Sequence, residues 1–118
     1  MKTNLDMTQM ENKKRAFNML NAPEVRLSDM VGKSIYAVDY VIDNFEIVDK
    51  ESGEVKQTTR LVIRDNQGHT YHTMATGLLE SFNRILAVFG DGWGDGFALT
   101  VNQVNTSTGK RTYIFEIV

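Results

Sequence analysis

The sequence predicts an all-β barrel of five strands with one helix, in the order β-β-β-α-β-β, preceded by a short N-terminal helical arm. Three observations predict this fold. Apolar residues alternate with period two in five segments, they switch once to helical spacing between the third and fourth segments, and polar turns rich in glycine separate the strands. A helix at that position is the hallmark of the five-stranded OB-fold, a partly open Greek-key barrel. An open α+β sheet is the alternative that the same pattern allows.

The N-terminal segment, residues 1–26, is predicted to be a short amphipathic arm, and residues 27–118 are predicted to form the barrel. A helix of this length is marginal in isolation, so we expect the arm to dock on another surface. Pro23 ends the helical pattern. Four apolar residues within residues 6–20 recur at helical spacing and predict a single apolar face: Met7, Met10, Phe17 and Leu20.

The five predicted strands follow Gly32. The first strand has apolar residues on both faces, which is typical of a long, bent strand that serves two parts of a barrel. Polar turns that contain glycine lie at residues 49–54, 65–68 and 105–110. The strands are predicted at Ser34–Val48, Lys56–Arg64, His69–Thr76, Phe97–Val104 and Arg111–Val118.

The predicted helix covers Gly77–Gly90, where the apolar residues form one stripe. The glycine-rich loop at residues 91–96 leaves this helix and enters a strand, whereas a phosphate-binding glycine loop opens a helix. The loop also lacks the closing glutamate of a calcium loop, because the twelfth position from Asp91 is Asn102. We therefore interpret the loop as a hinge, with Trp93 either available to stack on a nucleic-acid base or plugging one end of the barrel.

Length and composition narrow the possible functions. A chain of 118 residues is one domain by the usual length range. Because the chain has no cysteine, disulfides, thiolate nucleophiles and cysteine-based zinc sites are excluded, and a reducing cytoplasm is the expected location. The N-terminus lacks the apolar region of a signal peptide, and no apolar run approaches the ~18 residues of a membrane span.

The charge is unevenly distributed along the chain. The net charge is −2, but residues 1–26 hold five Lys or Arg against three Asp or Glu, so that this segment carries +2 and the remainder −4. An acidic chain argues mildly against strong nucleic-acid binding. A local groove can still be basic, because global charge governs long-range steering rather than each site.

No constellation of residues indicates catalysis. His69 and His72 lie three apart on a predicted strand, so their side chains point to opposite faces and cannot share a metal ion. Ser81 lies in the middle of the predicted helix and lacks the elbow of a nucleophile. No pair of carboxylates stands out as an acid and a base. The sequence predicts a protein that is not an enzyme and has no metal or other cofactor.

Basic and aromatic residues interleave on the second and third predicted strands. If the turn at residues 65–68 sets the register, Arg64 pairs near His69 and Val62 near Tyr71, while a slip of one residue would bury Tyr71. In the predicted register Arg60, Arg64, His69 and Tyr71 share one face, where single-strand binders place cations for phosphates and rings for bases. The candidate nucleic-acid-binding residues are Lys56, Arg60, Arg64, His69, Tyr71, Trp93, Lys110, Arg111, Tyr36 and Tyr40.

The segment Leu27–Lys33, leading into Tyr36–Tyr40, resembles the start of small single-stranded-DNA-binding proteins of phages that infect Gram-positive bacteria, the lactococcal-phage type in particular. The similarity covers about residues 5–118. Its later elements are the Asp65–Gly68 turn, Tyr71, the strand end at Ala75 and Thr76, the Phe82–Phe89 helix and a terminal strand closing on Tyr113–Phe115.

The resemblance implies an accessory protein of replication or recombination that coats single-stranded DNA without sequence preference. It also implies a homo-oligomer, a dimer or tetramer, in the host cytoplasm and away from the membrane. Bacterial single-strand binders recruit partners through a flexible acidic tail, whereas this sequence ends within a predicted strand at Glu116–Val118. We therefore expect any contact with recombinase or replisome proteins on another surface, such as the N-terminal arm.

Two other functions remain compatible with the residues. An OB-like adaptor or inhibitor could use the amphipathic arm to dock on another protein, which the negative net charge favours. A small enzyme or a saccharide-binding barrel is the third possibility, because a fold alone does not determine function.

Overall fold

The computed structural model describes residues 1–90 and 93–118 and is built mainly from β-strands, which confirms the predicted fold class in outline. The helices are α1 (Met10–Asn21) and α2 (Thr76–Phe89), and Leu27–Met30 forms a 3₁₀ turn. The strands are β1 (Lys2–Thr3), β2 (Val25–Arg26), β3 (Ser34–Val48), β4 (Val55–Asp65), β5 (Thr70–Thr73), β6 (Phe97–Asn105) and β7 (Arg111–Ile117).

The long predicted strands correspond to β3–β7: the bounds of β3 are as predicted, and those of the other four strands differ by at most three residues. Helix α2 begins one residue before the predicted helix. The short strands β1 and β2 were not predicted. Of the glycine-rich loop, Asp91 and Gly92 lie outside the described residues, so the hinge interpretation stays a prediction for them.

The strands form one curled, half-barrel sheet in the order β2-β5-β4-β3-β6-β7. Strand β3 is central: it pairs with β4 from Ala37 to Val48, with β6 over Ser34–Ala37, and with β1 at Val41 and Ile42. Strand β2 pairs in parallel with β5, and the chain then crosses to β6, where Val31 bridges Val101. The segment between them buries Leu27 fully in the core, so that it covers one end of the curled sheet.

A bulge in β3 determines which side chains reach the core. The register passes from Ala37 opposite Asp65 to Asp39 opposite Arg64, which leaves Val38 as one extra residue. Ala37 before the bulge and Tyr40 after it consequently face the same core, although their spacing is odd. The bulge explains why both faces of this segment appear partly apolar in the sequence.

The N-terminal arm supplies hydrogen bonds that the bulge leaves open. The side-chain amide of Asn4 donates to the carbonyl oxygen of Val38 at 2.9 Å, and its oxygen accepts from the backbone N–H of Tyr40 at 2.9 Å. The hydroxyl of Thr3 donates to the carbonyl oxygen of Tyr40 at 2.6 Å. Since unpaired backbone groups are costly when buried, these contacts tie the arm to β3.

The main core lies between α2 and the inner face of the sheet. It is organised by aromatic rings, with the Tyr40 and Trp93 centroids 4.9 Å apart and Tyr40 and Phe82 meeting edge to face at 5.1 Å. Helix α2 also reaches the edge strand β7. The hydroxyl of Ser81 accepts from the N–H of Phe115 at 2.9 Å and donates to the carbonyl oxygen of the same residue at 3.4 Å.

A second, smaller apolar cluster lies on the outer face of the sheet, under α1. Ala16 and Met19 of the helix pack there on Val41 and Val62. The predicted apolar face of the arm is therefore wrong in part, because Met10 and Phe17 are 64% and 65% exposed. The helix begins only at Met10, and Met7 reaches the cluster from the segment before it. Because Met7 is not part of the helix, the apolar face predicted by including it does not match the face that the helix buries.

The close approach of the β6 entry to the bulge predicts a sharp difference between two glycines. Gly96 has φ +97°, and a methyl group there would overlap the carbonyl oxygen of Ala37 and lie 2.9 Å from Cγ1 of Val38, whereas Gly94 has φ +57° and open space around it. We expect Gly96→Ala to destabilise the protein by roughly 3 kcal/mol or more. Gly94→Ala should cost about 1–2 kcal/mol. Urea unfolding followed by circular dichroism measures both, and equal losses would contradict this account.

Candidate nucleic-acid interface

The register between β4 and β5 differs from the predicted register by one residue, which changes the side chains on the outer face. Arg64 pairs with Thr70, Ile63 with Tyr71 and Val62 with His72. Arg60 and Arg64 do share the outer face, as predicted, but Tyr71 lies on the inner side and His69 precedes the strand, so the predicted register is wrong.

The turn explains the error. Asp65 ends β4 rather than beginning the turn, because its backbone N–H donates to the carbonyl oxygen of His69 at 2.9 Å and closes a three-residue loop. Its carboxylate Oδ1 accepts from the N–H groups of Gln67 and His69, both at 2.9 Å. His72 lies on the outer face, which the predicted register did not show. A three-residue loop ending in Gly68 (φ +88°) is the sequence feature that could have indicated the correct register.

Tyr71 stabilises this turn from the inner side. Its hydroxyl donates to Oδ2 of Asp65 at 2.9 Å. Burial, together with the hydrogen bond and the negative charge of Asp65, raises the pKa of Tyr71 to about 12. Burial opposes ionisation of Asp65, but the hydrogen bonds from Tyr71, Gln67 and His69 outweigh it and leave the pKa of Asp65 below its usual value. A half-buried ring with an engaged hydroxyl is a structural residue and not an open stacking platform.

The side chain of Arg60 binds the end of α1. Its Nη2 donates to the carbonyl oxygen of Leu20 near the end of the helix at 2.5 Å, and its guanidinium carbon lies 5.6 Å from the centroid of the Phe45 ring. A cation at the C-terminal end of a helix also interacts favourably with the helix dipole. Arg60 is therefore not available to a phosphate while α1 is docked.

Arg64 takes part in a three-residue ion network beneath the helix. Asp39 Oδ2 lies 3.1 Å from Nη1 of Arg64 and 3.7 Å from Nη1 of Arg15, which comes from α1. Two arginines thus share one largely buried carboxylate. Removing Asp39 would leave two like charges facing each other, so the network helps to fix the helix on the sheet.

A groove of about 570 Å³ runs between α1 and the β4–β5 turn. Its ionisable lining is mixed, with three bases and two acids, and Asp39 adds a third acid behind it, so the groove has little net positive charge. The lining residues are Glu11, Lys14, Arg15, Asn18, Met19, Asn21, Ala22, Glu24, Arg64, Gly68 and Thr70.

Three candidate aromatic residues differ in accessibility. Tyr40 is fully buried and Trp93 is 7% exposed, and both side chains pack in the main core. The ring of Trp93 is therefore not exposed for stacking. Tyr36 remains 40% exposed on the part of the outer face where β3 meets β6, and its hydroxyl donates to the carbonyl oxygen of Gly96 at 3.3 Å. Tyr36 is the one of the three whose ring a base could reach.

The remaining candidate cations are exposed on two hairpins. Lys110 and Arg111 lie where the β6–β7 hairpin enters β7, in a turn without acidic residues. Lys56 lies opposite Ile47 beside the β3–β4 turn, which carries Asp49, Glu51 and Glu54. Within residues 1–90 and 93–118, none of the three cations has a carboxylate within 4.0 Å. The β6–β7 hairpin is therefore the more positive of the two.

The two histidines have different surroundings. His69 Nδ1 lies 3.4 Å from Oε2 of Glu24 on the surface, and burial together with the charges of Arg60 and Arg26 lowers the pKa of His72. In the described part of the chain, no group of three or more potential ligands (His, Cys, Asp or Glu) is close enough to hold a metal ion. Among these same residues, no helix is long and apolar enough to cross a membrane.

One comparison with known proteins gives a match. The family model described as "Phage Single-stranded DNA-binding protein" matches residues 1–118. No curated protein and no solved structure matches the chain.

The bond between Tyr71 and Asp65 predicts a pH-dependent contribution to stability. Tyr71→Phe should lower the free energy of unfolding by about 1.5–3 kcal/mol at pH 7, because it removes a hydrogen bond to a charged group. The pKa of Asp65 is lower in the folded state, so this stabilisation is present above the unfolded pKa and is lost as pH falls through the folded pKa. Urea unfolding at pH 7 and at pH 3 measures the difference, which should shrink at the lower pH. A constant difference would contradict the assignment.

Proposed function

Because this chain belongs to the family of phage single-stranded DNA-binding proteins, we propose that it coats the single strands exposed during phage DNA replication and recombination, without sequence preference. The match to the family model along residues 1–118 carries this conclusion. It confirms the resemblance to phage single-stranded-DNA-binding proteins, but the matching family is of the Phi29 type and not the lactococcal-phage type. The family consists of DNA-binding proteins, and we propose that this member likewise has no catalytic activity.

We propose that the curled sheet is an OB-type barrel. The order of its long strands is β5-β4-β3-β6-β7, with α2 between β5 and β6 along the chain, which agrees with the Greek-key order of that fold. Within the described residues no strand pairing joins β5 to β7; α2 packs against β7 on that side. In this view residues 27–118 form the barrel and residues 1–26 are an arm appended to it.

We place the phosphate contacts chiefly on the β6–β7 hairpin, at Lys110 and Arg111, because these cations are exposed in a turn without acids. Lys56 on the other hairpin would contribute less, since three carboxylates lie in the adjacent turn. Tyr36 would offer its ring to a base. Cations that follow the backbone and rings that stack on any base give binding without sequence preference.

A homo-oligomer fits this function. One small domain makes few phosphate contacts, and linking several copies multiplies the affinity through effective concentration. We propose a dimer or tetramer that acts in the host cytoplasm and contacts recombinase or replisome proteins through surfaces away from the DNA.

The first test is fluorescence-anisotropy titration of a labelled dT oligomer of about 30 nucleotides, at low and at physiological salt, with duplex DNA as competitor. We expect tight binding that weakens steeply with salt, because phosphate contacts release counterions. Duplex DNA should not displace the labelled oligomer. Absence of binding at low salt would contradict the function itself.

The hairpin assignment predicts unequal effects of two charge changes. Lys110→Gln with Arg111→Gln should weaken binding about tenfold and make the salt slope shallower by about 1.4, the value for two phosphate contacts on a single strand. Lys56→Gln should have a smaller effect on both. The same titration measures them, with Arg84→Gln on α2 as the charge control. Wild-type behaviour of the double variant would contradict the hairpin site and leave the function standing.

A further inference from the structure

The outward face of α1 combines exposed apolar side chains with unpaired cations. Met10 and Phe17 are 64% and 65% exposed, although an amphipathic helix normally buries such residues. Lys13 and Lys14 are also exposed. The inner face of the same helix is already occupied by the outer cluster around Ala16 and Met19. The outward face is therefore not the docking surface of the helix on its own domain.

We propose that this outward face is a second contact site for single-stranded DNA, with Phe17 stacking on a base and with Lys13 and Lys14 binding the flanking phosphates. The inference rests on the proposed function and adds to it a site on the helix rather than on the barrel. Base stacking on an exposed ring and cations along the backbone are the two components of single-strand recognition.

The helix spacing brings these groups together. Lys13 and Lys14 precede Phe17 by four and three residues, and side chains at those separations are neighbours on a helix surface. The same three residues and Asn18 line one shallow depression. Asn18 adds an amide that can both donate and accept hydrogen bonds with any base edge.

The charge of α1 favours an anionic ligand. The helix carries Lys13, Lys14 and Arg15 against a single acid, Glu11. Arg15 is engaged by Asp39, but neither lysine has a carboxylate within 4.0 Å in the part of the chain that the structure describes. Two cations next to an exposed ring thus remain open to phosphates.

The helix is held rigidly enough to present the ring. Arg60 binds the carbonyl oxygen of Leu20 at its C-terminal end, Arg15 reaches Asp39 in its middle, and Asn4 ties the preceding segment to β3. Because the helix is already ordered, stacking on Phe17 would not require the arm to fold first. Ordering of the arm would therefore cost little free energy on binding.

A second copy of the chain is the competing occupant of this face, and its charge argues against that partner. A symmetric contact between two copies places the same patch on both sides. It would bring Lys13 and Lys14 of both copies into one contact, and like charges at close range are unfavourable. Single-stranded DNA supplies the opposite charge and the flat base together.

The test compares substitutions on α1 with matched substitutions on α2. Arg84 and Val88 reproduce the spacing of Lys13 and Phe17, and Val88 is 80% exposed, so Arg84→Gln and Val88→Ala are the controls. We expect Phe17→Ala to weaken binding to the dT oligomer roughly 5- to 150-fold, the range for one stacked base. Lys13→Gln with Lys14→Gln should make the salt slope shallower by about 1.4. Both controls should bind as the wild type does.

Two further variants report on the ring itself. Phe17→Tyr should restore most of the affinity that Phe17→Ala loses, because it keeps a stacking surface. Phe17→Trp should show fluorescence quenching when the dT oligomer binds, in addition to any change at the buried Trp93, which the wild type reports separately.

The outcomes separate this site from the proposed function. If the wild type binds and the Phe17 and lysine variants bind equally well, the site on α1 is wrong and the function stands. If the wild type does not bind, the function is wrong. If Phe17→Ala lowers the assembly mass in sedimentation without changing DNA affinity, the face joins two copies and the proposal is overturned. Quenching of Phe17→Trp with loss of affinity in Phe17→Ala supports it.

Discussion

The bulge at Val38 is the constraint on which the rest of the structure depends. By inserting one residue, it turns Tyr40 into the core while Asp39 and Val41 face outwards, so that one strand builds both apolar clusters. The side-chain amide of Asn4 satisfies the backbone groups at the bulge, and Gly96 lies so close to it that no side chain fits. The outer cluster, the ion network at Asp39 and the position of α1 all follow from this irregularity.

The docked helix changes where a single strand can be bound. Helix α1 covers part of the outer face of β4, and both arginines of that face are engaged: Arg60 donates to the carbonyl oxygen of Leu20 in the helix, and Arg64 pairs with Asp39 of β3. Exposed cations lie on other surfaces, among them the β6–β7 hairpin and the solvent side of the helix. A negative net charge is compatible with a DNA-binding function, because a phosphate responds to the charge of the local surface rather than to the net charge of the chain.

The sequence predicted the long elements well because their signals are local. Period-two alternation and glycine turns located β3–β7 to within a few residues, and one apolar stripe located α2. It failed where a single residue of register decides the outcome. Whether Asp65 belongs to the turn or to the strand depends on its own hydrogen bonds, and that choice moved Tyr71 to the inner side. The exposure of Phe17 depended on which face of α1 meets Val41 and Val62, a tertiary contact that spacing alone does not specify.

The hydrogen bonds between Ser81 and the edge strand β7 affect whether this edge can pair with a strand of another molecule. In the described part of the chain β7 pairs only with β6, so its other edge has no partner strand and faces α2 instead. The Ser81 hydroxyl occupies both the N–H and the carbonyl of Phe115 in the middle of that edge, where an incoming strand would need them. These bonds therefore protect the middle of the β7 edge from pairing with a strand of another molecule.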